Sequence, residues 1–235
     1  MTVAIVKPLA LAWSLIAVCA SPLVSTSYAQ ARPSARRAQP ARRVTVNGYA
    51  TFGRVDFVAK NSFEAITGKT GGTLAGGGVR VGLPWGNTAW GGPFIDIGAW
   101  RHRTDGERAF VFNGTVYKLG IPVEITTTPL ELSAGWQFRF RRLPRLTPYV
   151  AGGLTSARYE ETSSFSSSPD DVDEDFGGYH MTGGIEYRVT RWVGVAGEAV
   201  WSTVPNSIGQ SGVSQAFNET NLGANAFRIK ILIGR

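Results

Sequence analysis

Apolar and polar residues alternate one by one along several stretches of this chain, and this period of two constrains the fold more than any other feature. From residue 130 to 140, every second residue is apolar or aromatic, whereas the residues between them include Glu131 and Arg139. The segment 227–234 repeats the pattern, with Lys230 in its polar set. Successive side chains of a β-strand point to opposite faces, so the pattern predicts strands whose two faces meet different environments.

The number of strands and the lengths of their connections suggest a closed barrel. Eight strands are predicted, at 43–57, 75–84, 93–104, 117–140, 147–162, 177–189, 192–203 and 222–235. The connections are long at 58–74, 105–116, 163–176 and 204–221, and short at 85–92, 141–146 and 190–191. Short turns at one end and long loops at the other are typical of outer-membrane barrels. We therefore predict an all-β, eight-stranded antiparallel up-and-down transmembrane β-barrel, with short periplasmic turns and long extracellular loops.

Aromatic residues cluster at the short turns. Trp85 and Trp90 flank the first turn, Phe140 precedes the second and Trp192 follows the third. Such rings prefer the membrane interface, so these four residues are expected to form an aromatic girdle. A soluble periplasmic β-barrel would also show strand alternation and stays an alternative.

The charged residues of the strands keep to the face opposite the apolar one. A lipid-facing Arg or Lys at the bilayer midplane costs roughly 2–4 kcal/mol, so in a membrane barrel this face must point inward. An eight-stranded barrel is just wide enough for side chains to fill it, which disfavours a wide pore. We predict a paired ion network in the lumen, formed by Arg80, Asp96, Glu131, Arg139, Glu186, Arg188, Glu198, Arg228 and Lys230.

The first 42 residues differ in composition from the rest. Residues 1–29 read as a signal peptide, because an apolar stretch follows Lys7 and small residues precede a cleavage site after Ala29. Residues 30–42 are expected to be a disordered basic leader, and residues 43–235 the barrel domain. Lys7 and five arginines between residues 32 and 43 supply six of the 24 basic residues. The remaining 18 nearly balance 17 acidic residues, so we predict no nucleic-acid partner.

Residues with reactive side chains are few. We predict no metal site and no cofactor: the acidic cluster of one loop lacks the glycine and the distal glutamate of an EF-hand, although carboxylates of this kind suit Ca²⁺. The cluster comprises Asp170, Asp171, Asp173, Glu174 and Asp175. The two histidines, His102 and His180, have Thr104 and Thr182 two positions on, rather than a serine nucleophile. We therefore predict that the protein is not an enzyme.

Three short motifs carry a resemblance to a known family. They are Thr147–Gly153 (TPYVAGG), Gly183–Tyr187 (GGIEY) and the closing run Phe227–Ile233 (FRIKILI). Together with the predicted signal, they resemble small outer-membrane β-barrel proteins of the opacity, OmpW-like and OmpA-transmembrane-domain type. The resemblance implies residence in the bacterial outer membrane, insertion by the barrel-assembly machinery and, as a variant of function, passage of small apolar molecules.

These observations together predict a non-enzymatic, integral outer-membrane barrel that acts as a membrane-anchored surface-interaction protein. Its expected partners are outer-membrane lipid, lipopolysaccharide and an extracellular ligand bound through the loops. A lipid-modifying barrel enzyme is the alternative from another functional class.

Overall fold

The computed structural model describes residues 44–86, 88, 90–163 and 172–234. The predicted signal peptide and leader therefore lie outside the described residues. The strands are β1 Thr45–Phe57, β2 Gly71–Gly82, β3 Gly91–Phe112, β4 Thr115–Phe138, β5 Leu146–Ser163, β6 Val172–Arg188, β7 Val193–Thr203 and β8 Ala224–Gly234. Two helices, α1 Lys60–Thr67 and α2 Gly212–Ala216, lie in two of the connections.

Each strand pairs antiparallel with its neighbours in the chain, and β1 pairs with β8 to close the sheet into a barrel. The predicted eight-stranded up-and-down barrel is therefore confirmed. The connections 83–90, 139–145 and 189–192 lie at one end, called here the short-turn end. The helices and the long β3–β4 hairpin lie at the other, called here the helix end. Among the described residues, no helix has the length and apolar character needed to cross a membrane.

The β3–β4 hairpin is longer than predicted. A long connection at 105–116 was expected, but β3 continues to Phe112 and β4 begins at Thr115. The expectation of a long loop is wrong here, because only Asn113 and Gly114 connect the two strands. Both turn residues have positive φ, 49° and 76°, as the turn favoured by right-twisted strands requires.

Glycines on the inner faces of the strands make room for tyrosine rings. Tyr49 of β1 is paired with Gly78 of β2, which is paired with Gly98 of β3. The phenol of Tyr49 crosses both glycines: a Cβ placed on Gly98 would lie 2.3 Å from its hydroxyl. Tyr149 covers Gly184 in the same way. The abundance of glycine in these strands thus has a packing cause.

The barrel interior is filled by two apolar clusters. The cluster nearer the helix end includes Phe57, Phe63, Leu74, Trp100 and Ile125. The cluster nearer the short-turn end consists of Phe94, Tyr149, Ala151, Ala196 and Leu232, with Tyr49 packed against it. Buried charged residues accompany this packing.

Candidate functional site

The outer surface of the barrel carries an apolar belt. Ile231 of β8 is paired with Ala50 of β1 and Val195 of β7, and all three point outward. Large apolar side chains in this belt are exposed by as much as 67% at Leu154 and Met181. The belt includes Val46, Phe52, Val79, Ile95, Ile97, Leu130, Leu132, Val150, Leu154, Met181, Ile185, Val195, Phe227, Ile229, Ile231 and Ile233. A continuous apolar surface of this kind marks an interaction with lipid or with another protein.

The two ends of the belt differ. At the short-turn end, the four residues predicted for the girdle are exposed, by 44% at Trp192 and 77% at Trp90. Phe138 and Tyr187, which were not predicted, are also exposed, at the ends of β4 and β6 that meet the short turns. Towards the helix end, the outward positions become charged: Arg54 is paired with Phe227 of the belt, and Arg101 with Ala75.

The lumen holds a network of ion pairs. Arg80 Nε lies 2.8 Å from Asp96 Oδ2, and its Nη1 lies 3.7 Å from Glu186. Lys230 Nζ lies 3.6 Å from the same oxygen of Asp96 and 3.1 Å from Glu198 Oε2. The side chains of Arg80 and Lys230 are each 4% exposed, so these pairs lie away from bulk solvent.

Arg228 links the network to its other carboxylates. Its Nη1 donates to Glu131 Oε2 at 2.9 Å, and its Nε lies 2.7 Å from Glu198 Oε1. The second of these contacts lacks hydrogen-bond geometry and is an electrostatic contact only. Trp100 Nε1 donates to the second oxygen of Glu131 at 2.8 Å.

Tyrosine hydroxyls and aromatic faces complete the network. Tyr49 donates to Asp96 at 2.5 Å, and Tyr149 donates to Glu198 at 2.8 Å. The guanidinium of Arg80 lies 4.2 Å from the ring centre of Tyr149, within range of a cation–π interaction. Buried charges are tolerated when they are paired and hydrogen-bonded, and these groups meet that condition.

The structure brings together eight of the nine residues proposed for this network and leaves out Arg139. Because β4 ends at Phe138, Arg139 lies in the following turn, where it is exposed. Arg188 lies at the edge of the network, 2.8 Å from Glu186 and one-third exposed. With Arg188 included, four carboxylates face four cations.

The histidines have partners that sequence spacing did not indicate. Ser133 Oγ lies 2.7 Å from His180 Nε2, and Thr155 Oγ1 lies 2.8 Å from Nδ1 of the same ring. Ser133 lies on β4 and His180 on β6, and each is paired with Gly153 of the intervening strand β5. Neither histidine has a serine two positions on, as the sequence showed, but spacing along one strand does not reveal a serine that comes from another strand. His102 Nδ1 lies 2.8 Å from the carbonyl oxygen of Thr73.

A cavity of about 460 Å³ lies at the helix end, between the two helices and the extended strands. Phe63, Ile66 and Phe176 contribute apolar walls, while Arg108 and Glu161 form an ion pair at 3.6 Å on one side. Burial, reinforced by the nearby Glu161 carboxylate, raises the pKa of the Tyr159 phenol above its usual range. The Tyr159 hydroxyl donates to Glu161 Oε2 at 3.4 Å. The mixture of apolar walls with a few polar groups is typical of small-molecule sites.

Glu219 fixes α1 over the barrel mouth. The N-terminus of α1 has no side-chain cap of its own. Glu219, from the connection between β7 and β8, accepts hydrogen bonds from the backbone N–H groups of Asn61 and Ser62 at 3.1 and 2.8 Å. The Ser62 hydroxyl donates to the same carboxylate at 2.6 Å. A carboxylate here also suits the positive end of the helix dipole, so the two connections hold each other in place.

The acidic cluster of the β5–β6 connection is only partly within the described residues. Asp170 and Asp171 lie outside them. Asp173 accepts two hydrogen bonds from Arg158, and Glu174 lines the cavity. No group of three or more histidine, cysteine or acidic side chains suited to a metal ion occurs in the part of the chain that the structure describes.

No family model matches this chain, and no curated protein matches it. Among solved structures, it is similar to the Neisserial surface protein A, with 11% identity, 81% of this chain and 96% of that chain covered, and a TM-score of 0.48. It is also similar to Ail, the attachment invasion locus protein of Yersinia pestis, with 8% identity, coverage of 82% and 97%, and a TM-score of 0.45. For the N-terminal β-barrel domain of Pseudomonas aeruginosa OprF, the identity is 14%, the coverage 80% and 97%, and the TM-score 0.38.

Proposed function

We propose that this protein is a non-enzymatic, integral protein of the bacterial outer membrane, where its barrel is the membrane anchor and its helix end is the interaction surface. The observation that carries the proposal is the division of side chains between the two faces of the sheet. Ile229 and Ile231 are outward and exposed, whereas Arg228 and Lys230, which alternate with them along β8, are inward and 3% exposed. Acyl chains outside the barrel account for both facts.

The energetics of the sheet support this environment. A closed barrel satisfies every inter-strand hydrogen bond without water, as a bilayer requires. β7 and β8 are 11 residues long, which is sufficient for a tilted strand to span the hydrocarbon core. A soluble periplasmic barrel would leave the whole apolar belt in water, and the belt therefore disfavours that alternative.

The filled lumen favours a role at the surface over transport. The ion network and the two apolar clusters occupy the interior, and α1 and α2 lie at its helix end. Passage of small apolar molecules would require this packing to open. The cavity at the helix end instead offers a site for an extracellular ligand, with apolar walls and the polar groups of Arg108, Tyr159 and Glu161.

Lipopolysaccharide is the lipid partner that we propose at the helix end. Arg54 and Arg101 are outward and exposed immediately beyond the belt, on strands β1 and β3 that flank β2. Guanidinium groups bind phosphate through two parallel hydrogen bonds, and lipid phosphates lie at this depth when the belt is in the hydrocarbon core.

The Ser133–His180 contact is the observation that favours the alternative, a lipid-modifying barrel enzyme. A serine within 2.7 Å of an imidazole is the arrangement of an activated nucleophile. However, Ser133 is 7% exposed and His180 2% exposed, and the second ring nitrogen meets Thr155 rather than a carboxylate. These features support a structural hydrogen bond. Lipid deacylation by purified protein, lost in Ser133→Ala, would favour the enzyme.

Membrane fractionation followed by electrophoresis with and without heating tests the proposal. We expect the protein in the outer-membrane fraction, with a gel mobility that changes when the sample is boiled. Ile231→Arg should lower stability in lipid by about 2–4 kcal/mol, the cost of a lipid-facing arginine near the midplane. Val116→Arg, at the tip of the β3–β4 hairpin, is the matched control and should insert normally. A protein that stays folded and soluble without detergent would refute the proposal.

A further inference from the structure

The three short turns form a surface of one charge. They comprise residues 83–90, 139–145 and 189–192, and contain five arginines but neither aspartate nor glutamate. The arginines are Arg139, Arg141, Arg142, Arg145 and Arg191. The chain also enters β1 at this end, since Thr45 is paired with Gly82 directly before the first turn.

A groove of about 540 Å³ lies within this surface. Its walls are Trp90, Phe140 and Leu143 on the apolar side and Arg139, Arg141 and Arg142 on the charged side. The three apolar side chains are exposed by 46–77%. Within the described residues, neither Arg141 nor Arg142 has a carboxylate within ion-pair distance.

We infer that this groove binds an anionic glycerophospholipid, with its phosphate on Arg141 and Arg142 and the start of its acyl chains against Trp90, Phe140 and Leu143. This inference rests on the proposed function, because it requires the apolar belt to lie in a bilayer. The groove is then continuous with the lipid-facing surface at the depth of the headgroups. Its charge complements a phosphate, and its apolar walls complement the adjoining chains.

Lipopolysaccharide also carries phosphate groups, but the position of the groove favours a glycerophospholipid. In the proposed orientation the short turns face the periplasm, and the helix end carries the outward Arg54 and Arg101. The leaflet that adjoins the short turns is therefore the inner one. The two sources can be distinguished by competition.

The test measures the preference of the reconstituted protein for a spin-labelled phosphatidylglycerol over a spin-labelled phosphatidylcholine in nanodiscs. The wild type should prefer phosphatidylglycerol, and 1 M salt should weaken that preference by screening. Each arginine near a membrane surface contributes about fivefold to the binding of anionic lipid, so the variant R141Q/R142Q should lose about 25-fold. R141K/R142K should retain part of the preference, because it keeps the charge but not the two-pronged geometry.

The matched control is R103Q/R158Q, which removes the same two charges at the helix end, where Arg103 is paired with Glu124 and Arg158 with Asp173. It should keep the wild-type preference. An equal preference in the wild type, R141Q/R142Q and R103Q/R158Q would overturn the inference, as would the absence of any preference in the wild type. Stronger displacement of the label by lipopolysaccharide than by phosphatidylglycerol would also overturn it. Heat-dependent gel mobility of each protein reports insertion separately, so failure of the proposed function is recognised as such.

Discussion

Glu198 is the carboxylate on which the lumen network depends most, and replacing it with glutamine tests the network. Its side chain is fully buried and lies within 3.1 Å of both Arg228 and Lys230. It also accepts the hydroxyl hydrogen bond of Tyr149 at 2.8 Å. Glu198→Gln keeps the shape of the side chain and removes its charge, so cavity formation contributes little to the effect.

The contacts that Arg228 and Lys230 keep in Glu198→Gln determine how much free energy of unfolding is lost. Removing one partner of a buried ion pair costs about 3–5 kcal/mol, because the other charge is left uncompensated. Here Arg228 retains Glu131 at 2.9 Å and Lys230 retains Asp96 at 3.6 Å, so we expect the lower end, about 3 kcal/mol. This is a large share of the 5–15 kcal/mol typical of folded domains.

Urea unfolding of the protein in detergent micelles or vesicles, followed by tryptophan fluorescence, measures this loss. With a denaturant dependence of about 2 kcal/mol per molar urea, the midpoint should fall by roughly 1.5 M. Glu160→Gln is the matched control, since Glu160 pairs with Arg158 on the exposed surface. That change should cost less than about 1 kcal/mol.

A second substitution tests whether the loss of stability in Glu198→Gln comes from the unpaired charge of Lys230. Lys230→Met in the Glu198→Gln background removes the cation that lost its closest carboxylate, so part of the stability should return. The coupling energy from the double-mutant cycle should then differ clearly from zero. Equal midpoints for the wild type and Glu198→Gln would refute the reasoning, because the network would then contribute nothing to stability.

Three further results are expected. Gly98→Ala should destabilise the barrel by about 1–3 kcal/mol in the same urea experiment, because the added methyl group would overpack against the Tyr49 phenol. Gly183→Ala is its control and should be neutral, because its Cβ would meet no atom within 4 Å. Glu219→Gln should weaken the cap of α1 and increase hydrogen exchange of the helix amides, while exchange in the strands stays unchanged. His180→Asn should leave lipid turnover at background, as in the wild type; measurable turnover in the wild type that this change abolishes would contradict the non-enzymatic proposal.

Strand positions could be predicted from the sequence because the two faces meet such different environments. The alternation predicted from residue 130 to 140 is observed as far as Phe138. Arg139 continues the alternation in the sequence, but β4 ends one residue before it, so its side chain does not enter the lumen network. Where both faces of a strand are solvated, apolar and polar residues no longer need to alternate. The extension of β3 from residue 105 to 112 therefore lacked a clear period, and the Asn113-Gly114 turn was the only usable signal.

The partners inside the lumen could not be predicted, because they depend on register between strands. Glu198 is paired directly with Arg228, and Arg80 with Asp96, in the ladders that the barrel adopts. Alternation shows that these residues point inward, but not which of them are opposite one another. The Ser133–His180 contact is still harder to predict from the sequence, because the two residues lie on strands that are not neighbours and are separated by Gly153 of β5.

Helix α1 was not predicted from the sequence, for a different reason. Eight residues span barely two turns, which is too short for a helical period to stand out from a polar connection. Gly68, in the left-handed conformation at its C-terminus, was the one local cue. The N-terminal capping group comes from Glu219, more than 150 residues away, so no local pattern contains it.

The two ends of the barrel differ in charge, and this difference bears on how each end meets its surroundings. At the helix end, arginines alternate with carboxylates and form pairs, as Arg108 does with Glu161 and Arg158 with Asp173. Such paired charges produce little long-range field, so the binding of a ligand in the cavity depends on the shape and polarity of the cavity. At the short-turn end the charges have one sign, and their field adds up and attracts anions over about a Debye length. Because the lumen between the ends is packed and charge-balanced, each end can be altered separately, and the arginine variants at one end should leave ligand binding at the other unchanged.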